Sequence, residues 1–394
     1  MLARSSLLAF LASSISLTAL SSAGAVEGQD VANRFKEMIA RQGATASWAS
    51  IDEEDGAIVL RGVTVKAAGD GADAAIGDVT FEGVEETDDG DYVVETLSMP
   101  TYSTVSEGAT VTLEGLSLSG AVLPSPTATD VISQSGFFDS LDVDQIKVEK
   151  DGKQVFSMSG LNYSLERDED SKSYEFTGTA DAFTADMTAS GDPQTTAMLT
   201  ALGLAQPKGT FEMAGSWSLA DGNLSVEQMD FTVENAGTIG FTFDISGYTE
   251  EFLKAAQDMQ KNMANATEEQ KAAAGMAAMG LMQQLSFAGA SIRYDDEALA
   301  GRALDLAAGM QKMQRTDMVK MAQMMIPVAL GQYVKPEFAN QVAGEVAKFM
   351  QDPKSLEIKA EPAAPVPFMM VGMGAMSAPQ EVPEQLGISV TANE

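Results

Sequence analysis

Between Trp48 and Tyr248 the chain alternates apolar and polar residues in short runs, such as Ile58-Val59-Leu60-Arg61-Gly62-Val63-Thr64-Val65 and Val111-Thr112-Leu113-Glu114-Gly115-Leu116-Ser117-Leu118. A period of two sends successive side chains to opposite faces, so these runs predict strands with one apolar face. Asp55-Gly56, Asp89-Gly90, Asp151-Gly152 and Asp221-Gly222 lie between runs. Both residue types tolerate the positive φ of tight hairpin turns, and four such turns predict an antiparallel meander in place of a parallel sheet with crossover helices. Gly62, Gly83, Gly115 and Gly160 recur within or just after strands, each before an apolar residue. Glycine in a strand marks a bulge or bend, so the expected sheet is curved. The intervals are unequal, which points to related hairpins and not to a fixed-period solenoid.

At both ends the period changes. Val31, Phe35, Met38 and Ile39 share one helical face, predicting a helix over Gln29–Gln42 with Gly43 as its stop. After Thr249, Phe252, Ala256, Met259 and Met263 form another helical face, and Thr267 to Gln270 reads as a capping box opening a helix to about Gln284. Leu285–Tyr294 returns to strand character. Helices are expected at Glu297–Gly309, at Thr316–Tyr333 with Pro327 as a kink, and at Pro336–Gln351. Leu356–Lys359 reads as a strand, Pro362, Pro365 and Pro367 as a stiff connector, Phe368–Met376 as an apolar segment and Leu386–Thr391 as a last strand. The fold class is α+β: a curved antiparallel meander with an N-terminal helix and a methionine-rich helical region packed on it. Its divisions are 1–25, 26–248, 249–352 with one inserted strand, and 353–394, the last belonging to the same fold.

The N-terminus changes where this fold is expected to work. Arg4 precedes an apolar stretch from Leu7 to Leu20, and Ala23-Gly24-Ala25 supplies small residues where a signal peptidase cuts, so residues 1–25 read as a signal peptide with cleavage before Val26. The stretch is short for a membrane anchor, and without cysteine the chain cannot be a lipoprotein. No later apolar run is long enough to span a bilayer, so the mature chain is expected in the periplasm with no transmembrane segment. Lys and Arg number 24 against 57 Asp and Glu, a formal charge of −33, which repels nucleic acid and anionic headgroups.

Candidate chemistry is narrow. With no histidine and no cysteine, the chain lacks Ser-His-Asp and Cys-His nucleophilic catalysis, thiolate redox chemistry and the usual zinc ligand sets. Paired carboxylates stay available in principle, but runs such as Asp52-Glu53-Glu54-Asp55 and Asp88-Asp89-Gly90-Asp91 read as solvated hairpin tips, and neither matches a calcium loop. Methionine is the unusual feature, with 16 of 24 after Thr249. Met276, Met279 and Met282, then Met318, Met321 and Met324 with Met325, then Met370, Met373 and Met376 recur at i, i+3, i+6. On a helix this spacing puts three thioethers on one face. Met318, Met321, Met325 and Leu330 define one such band. Three readings stand: methionine filling a core, an adaptable apolar groove for lipid or another envelope protein, and a copper(I) or oxidant-scavenging site. The candidate ligand-binding residues are Met276, Met279, Met282, Met318, Met321 and Met325.

Ile58 to Val65, Val111 to Leu118, Phe156 to Leu165 and the closing Leu386 to Thr391 give the pattern of an opening helix, strand-glycine-apolar hairpins and a last strand. This pattern resembles the AsmA-like and YdgA-like envelope proteins of Gram-negative bacteria. The resemblance implies a β-rich envelope protein, and in some members a part in lipid handling. The chain departs from it in carrying a cleavable leader and methionine-rich helices. The expected function is therefore non-enzymatic, without a cofactor, binding lipid or other hydrophobic envelope matter.

Overall fold

A computed structural model describes residues 26–41, 43–67, 73–106, 108–128, 136–168, 171–189, 191–263, 275 and 277–394. Residues 1–25 and the capping box at Thr267–Gln270 lie outside them. Helix α1 (Gly28–Arg41) opens the fold and is followed by β1 (Ala44–Ser47), β2 (Ser50–Glu54), β3 (Ala57–Ala67), β4 (Asp73–Glu86) and β5 (Tyr92–Ser106). Strands β6 (Ala109–Leu123), β7 (Ser140–Lys150), β8 (Lys153–Asp168) and β9 (Ser173–Ala185) continue the meander. After helix α2 (Pro193–Leu202) come β10 (Lys208–Ser218), β11 (Asn223–Val233) and β12 (Gly237–Ser246). Helix α3 (Glu250–Met263) leads toward a helical turn over residues 277–282 and then β13 (Ser286–Asp296). Helices α4 (Leu299–Gln311), α5 (Arg315–Leu330) and α6 (Pro336–Gln351) precede β14 (Ser355–Ala360). The chain closes with β15 (Val366–Pro367), α7 (Phe368–Ser377), α8 (Val382–Gln385) and β16 (Ile388–Ala392).

Among the described residues all sixteen strands join one antiparallel sheet. Its path runs β1, β3, β4 and onward in chain order to β14 and β16, with β2 paired to β3 and β15 to β13. β1 and β16 do not pair, so the sheet is open. One expectation for the last section changes. The proline connector itself adds a two-residue strand, Val366 lying opposite Phe287, and the apolar segment after it is helical. Pro is tolerated there because β15 pairs on one side only.

Two of the four Asp-Gly turns have both residues at positive φ, while at Asp89-Gly90 and Asp221-Gly222 only the glycine does. Asp55 and Gly56 have φ of 51° and 84°, Asp151 and Gly152 of 52° and 72°. Such paired positive angles match the right-handed strand twist. Gly152→Val is expected to cost about 1 kcal/mol or more, read by denaturant unfolding, because a β-branched residue is strained at positive φ.

Inside the strands, Gly62, Gly83, Gly115, Gly120 and Gly160 have φ between 61° and 66°. The last four are each covered by a carboxylate in or just before the neighbouring strand: Glu95, Asp144, Asp139 and Asp181 in turn. The Gly62 amide donates to Asp78 Oδ1 at 2.9 Å. A Cβ on Gly160 would overlap the Asp181 side chain. Gly160→Ala is therefore expected to cost about 1–3 kcal/mol, with part of the loss recovered when Asp181→Ala removes the obstruction. Equal stability of the single and double variants would refute the overlap.

The acidic run Asp52 to Asp55 is the exposed hairpin tip expected of it, and its carboxylates also make specific contacts. Arg61 is held by Asp52 and Glu54 at 2.9 Å and by Asp78 at 2.8 Å, and the Glu53 carboxylate accepts from the Gly28 amide at the start of α1. The Arg61 guanidinium, and then the Gly62 amide, hold Asp78 below the usual carboxylate range. Its contribution to stability is present above the unfolded carboxylate value of about 4 and is lost as the pH falls through the lower folded value. Asp78→Asn should lower stability at neutral pH and flatten the acid limb below about pH 4. An unchanged acid limb would remove Asp78 from the account.

The best-packed core lies under α1. Val31, Ala32 and Phe35 meet Ile58, Leu60, Val79, Phe81, Val94 and Leu123, all buried, and Phe35 meets Phe81 edge to face at 5.5 Å. At the other end α6 packs on α5 through buried Ala339, Ala343 and Ala347, small residues one turn apart. Phe349 of α6 reaches Tyr294 of β13 at 6.2 Å, and Glu345 accepts from the Ala392 amide on the edge strand at 3.1 Å.

Candidate functional site

Paired residues on neighbouring antiparallel strands point to the same face, so the register shows what each face carries. One row runs from Met99 on β5 through Leu116, Val143, Leu161, Ala180 and Phe211. It continues through Phe231, Ile239, Tyr294 and Leu356 to Ala392 on β16. Every member is apolar or aromatic across eleven strands. A second row joins Leu165, Phe176, Gly215, Val226, Phe243 and Ala290. A third sets Phe241, Ile292, Ile358 and Val390 side by side.

The opposite face is polar. Hydroxyl pairs bridge its strands at Ser157–Thr184, Ser164–Thr177, Thr232–Thr238 and Thr242–Ser291, at 2.7 to 2.9 Å. Asn162 donates to Asp142 and Ser225 to Asp244.

A face this apolar is normally buried under a second layer. Here α1 covers it over the first strands, and α6 covers it at β14 and β16. Among the described residues no helix packs on β7 to β12 by more than isolated contacts. On β11 and β12 Phe231, Ile239 and Phe243 are each 38 % exposed, and on the adjoining β13 and β14, the latter covered by α6 only in part, Ile292 is 48 % and Ile358 47 % exposed. Phe231 touches Phe211 at 4.8 Å and Phe241 at 6.4 Å. Single exposed apolar residues are ordinary, whereas these form a contiguous patch across four strands.

At the end of the sheet where β9 begins and β10 ends, an aromatic chain runs Phe137, Tyr174, Trp217, Tyr248, Phe252 with centroid separations of 5.3 to 5.8 Å. The Trp217 indole donates to Tyr248 O at 3.0 Å. Phe137 and Tyr174 also line a cleft of about 610 Å³. Asp89, Asp91, Asp139, Asp168 and Glu250 on its walls outnumber Arg167 and Lys172. Arg167 pairs with Asp139 at 2.7 Å and lies over the Phe137 ring, and Lys172 pairs with Glu250 at 3.6 Å. The balance is negative, so this end suits an uncharged or cationic group better than an anion.

The methionines selected from sequence do not converge. Met318 is buried at 8 % exposure, Met321 is half-buried, and Met325 is 59 % exposed. The expected single band on α5 is thus core only at its N-terminal end. Met279 and Met282 are exposed on the turn before β13, and Met276 lies outside the described residues. Sequence reasoning passed over Phe231, Ile239, Phe243, Ile292 and Ile358. Their signal was present as alternation in Met229–Phe243 and Ser286–Tyr294, but alternation alone does not say that the apolar face stays uncovered.

Residues 230–393, from the end of β11 through β16, match a family model described as an uncharacterized protein. No curated protein matches the chain.

Proposed function

We propose that this protein is a non-enzymatic carrier or binder of long apolar chains, held along the open face of β7 to β13. The observation behind it is the row of apolar side chains continuous across the sheet and left half-exposed at Phe231, Ile239, Phe243 and Ile292. Burying such a surface under hydrocarbon releases roughly 25 cal/mol for each Å² covered. The strand glycines at positive φ support a sheet curved around such a chain. The acidic cleft beside Phe137 and Tyr174 favours a ligand whose polar end is neutral or cationic. The leader-like sequence of residues 1–25 supports a periplasmic location for the carrier, and the resemblance to AsmA-like and YdgA-like proteins supports envelope lipid as its cargo.

The test is titration with a fluorescent fatty-chain probe, followed by native mass spectrometry of the isolated protein. Saturable uptake, competed by unlabelled monoacyl lipid, is the expected result. Absence of uptake with probes of every chain length would sink the proposal.

A further inference from the structure

From the exposed methionine stripe of α7 we infer that this helix is where the protein docks on the uncharged surface of a lipid bilayer, at the mouth of the apolar face. The inference rests on the chain-binding reading above and adds the partner to it.

Helix α7, Phe368–Ser377, contains no charged residue, and none of its ten residues is buried. Apolar side chains surround it, and a helix of that kind is ordinarily enclosed. Here one side rests on α8, where Gly374 faces Val382. The other side presents Met370, Met373 and Met376, with Met376 90 % exposed.

The stripe joins the apolar face. Val366 lies opposite Phe287, and Phe368 meets the Phe287 ring edge to face at 6.2 Å. The Phe368 amide donates to Leu285 O at 3.2 Å, which brings α7 to the end of the helical turn carrying Met279 and Met282. Pro362–Gln380 and Ala272–Ile292 are the longest runs after Val26 without Asp, Glu, Lys or Arg. The fold brings the described part of the second run, from residue 277, together with the first at one end of the sheet. Next to them, Glu381 and Glu384 are both held by Lys335, at 2.8 and 2.5 Å, so the local charge is muted.

Charge selects the occupant. Pairing with a second copy would bring two chains of −33 together, whereas a zwitterionic bilayer opposes no charge to the same approach. A ten-residue helix is about 15 Å long, half the hydrocarbon thickness. It would therefore lie in the interface without spanning it, and flexible thioethers adapt to disordered acyl chains.

The purified protein should float with phosphatidylcholine vesicles. Replacing part of the lipid by phosphatidylglycerol should weaken flotation at low salt and leave it nearly intact at high salt. M370E/M373E/M376E should lower partition on the order of tenfold or more, and M370L/M373L/M376L should retain it. Solution uptake of the fatty-chain probe should be unchanged in the glutamate variant, which also reports that it is folded. Loss of flotation in the leucine variant would show that sulfur chemistry is needed and overturn the inference. Conversion of a dimer to a monomer by the glutamate changes, read by sedimentation, would overturn it in favour of a second copy. Normal probe uptake without flotation sinks the docking surface alone; flotation lost on glutamate substitution without any probe uptake sinks the chain-binding reading and leaves the bilayer contact standing.

Discussion

Phe81→Ala is expected to lower the unfolding free energy by about 3–5 kcal/mol, while Phe231→Ala lowers it by only about 1–2 kcal/mol. The two residues are chemically identical and both sit on sheet strands. Phe81 is fully buried beneath α1, against Phe35, and removing its ring leaves a cavity whose rigid lining cannot collapse. Phe231 is 38 % exposed with neighbours mainly to its sides, so its loss forfeits less contact and opens no enclosed void. Denaturant unfolding of the two variants measures the difference. Equal large losses would mean that the middle of the sheet is covered as tightly as its beginning, and the face would no longer be available to a ligand.

Chain binding itself should collapse when a carboxylate is placed in its path. In the double variant Phe231→Asp/Ile292→Asp, fatty-chain affinity is expected to fall on the order of a hundredfold or more, because a bound chain would have to strip water from two charges. Stability should change far less, since both positions already meet solvent. A chain-length series gives an independent reading: each methylene removed from the probe should weaken binding by about 0.8 kcal/mol, roughly fourfold. Affinity that ignores chain length, or survives both aspartates, would locate the binding elsewhere.

The strand and helix order was largely legible because its signals are local. Asp-Gly pairs carry their own φ preference, as Asp151 and Gly152 show, and Pro336 opens α6 where a residue without an amide hydrogen costs nothing. The methionines were less informative. Spacing places Met318, Met321 and Met325 near one face of α5, but whether that face meets α6 or solvent depends on where the helix is docked. The roles of the strand carboxylates were not legible for a similar reason. Asp78 accepts from the Gly62 amide and Asp181 covers Gly160 on the strand beside it, relations set by pairing between separate strands.

The sequence by itself determined an antiparallel, two-faced sheet with helices at its ends, because period, turn chemistry and glycine tolerance act over a few residues. It also determined an acidic surface and the absence of histidine and thiol chemistry, since these follow from composition. Only the tertiary structure decided that Met99 through Ala392 line up as one apolar row across eleven strands, that no described helix closes over its middle, and that the uncharged runs around Met279 and Met373 meet at Leu285 and Phe368. Burial and juxtaposition are properties of which surfaces face one another, and the free energy that selects them is summed over contacts far apart in the chain.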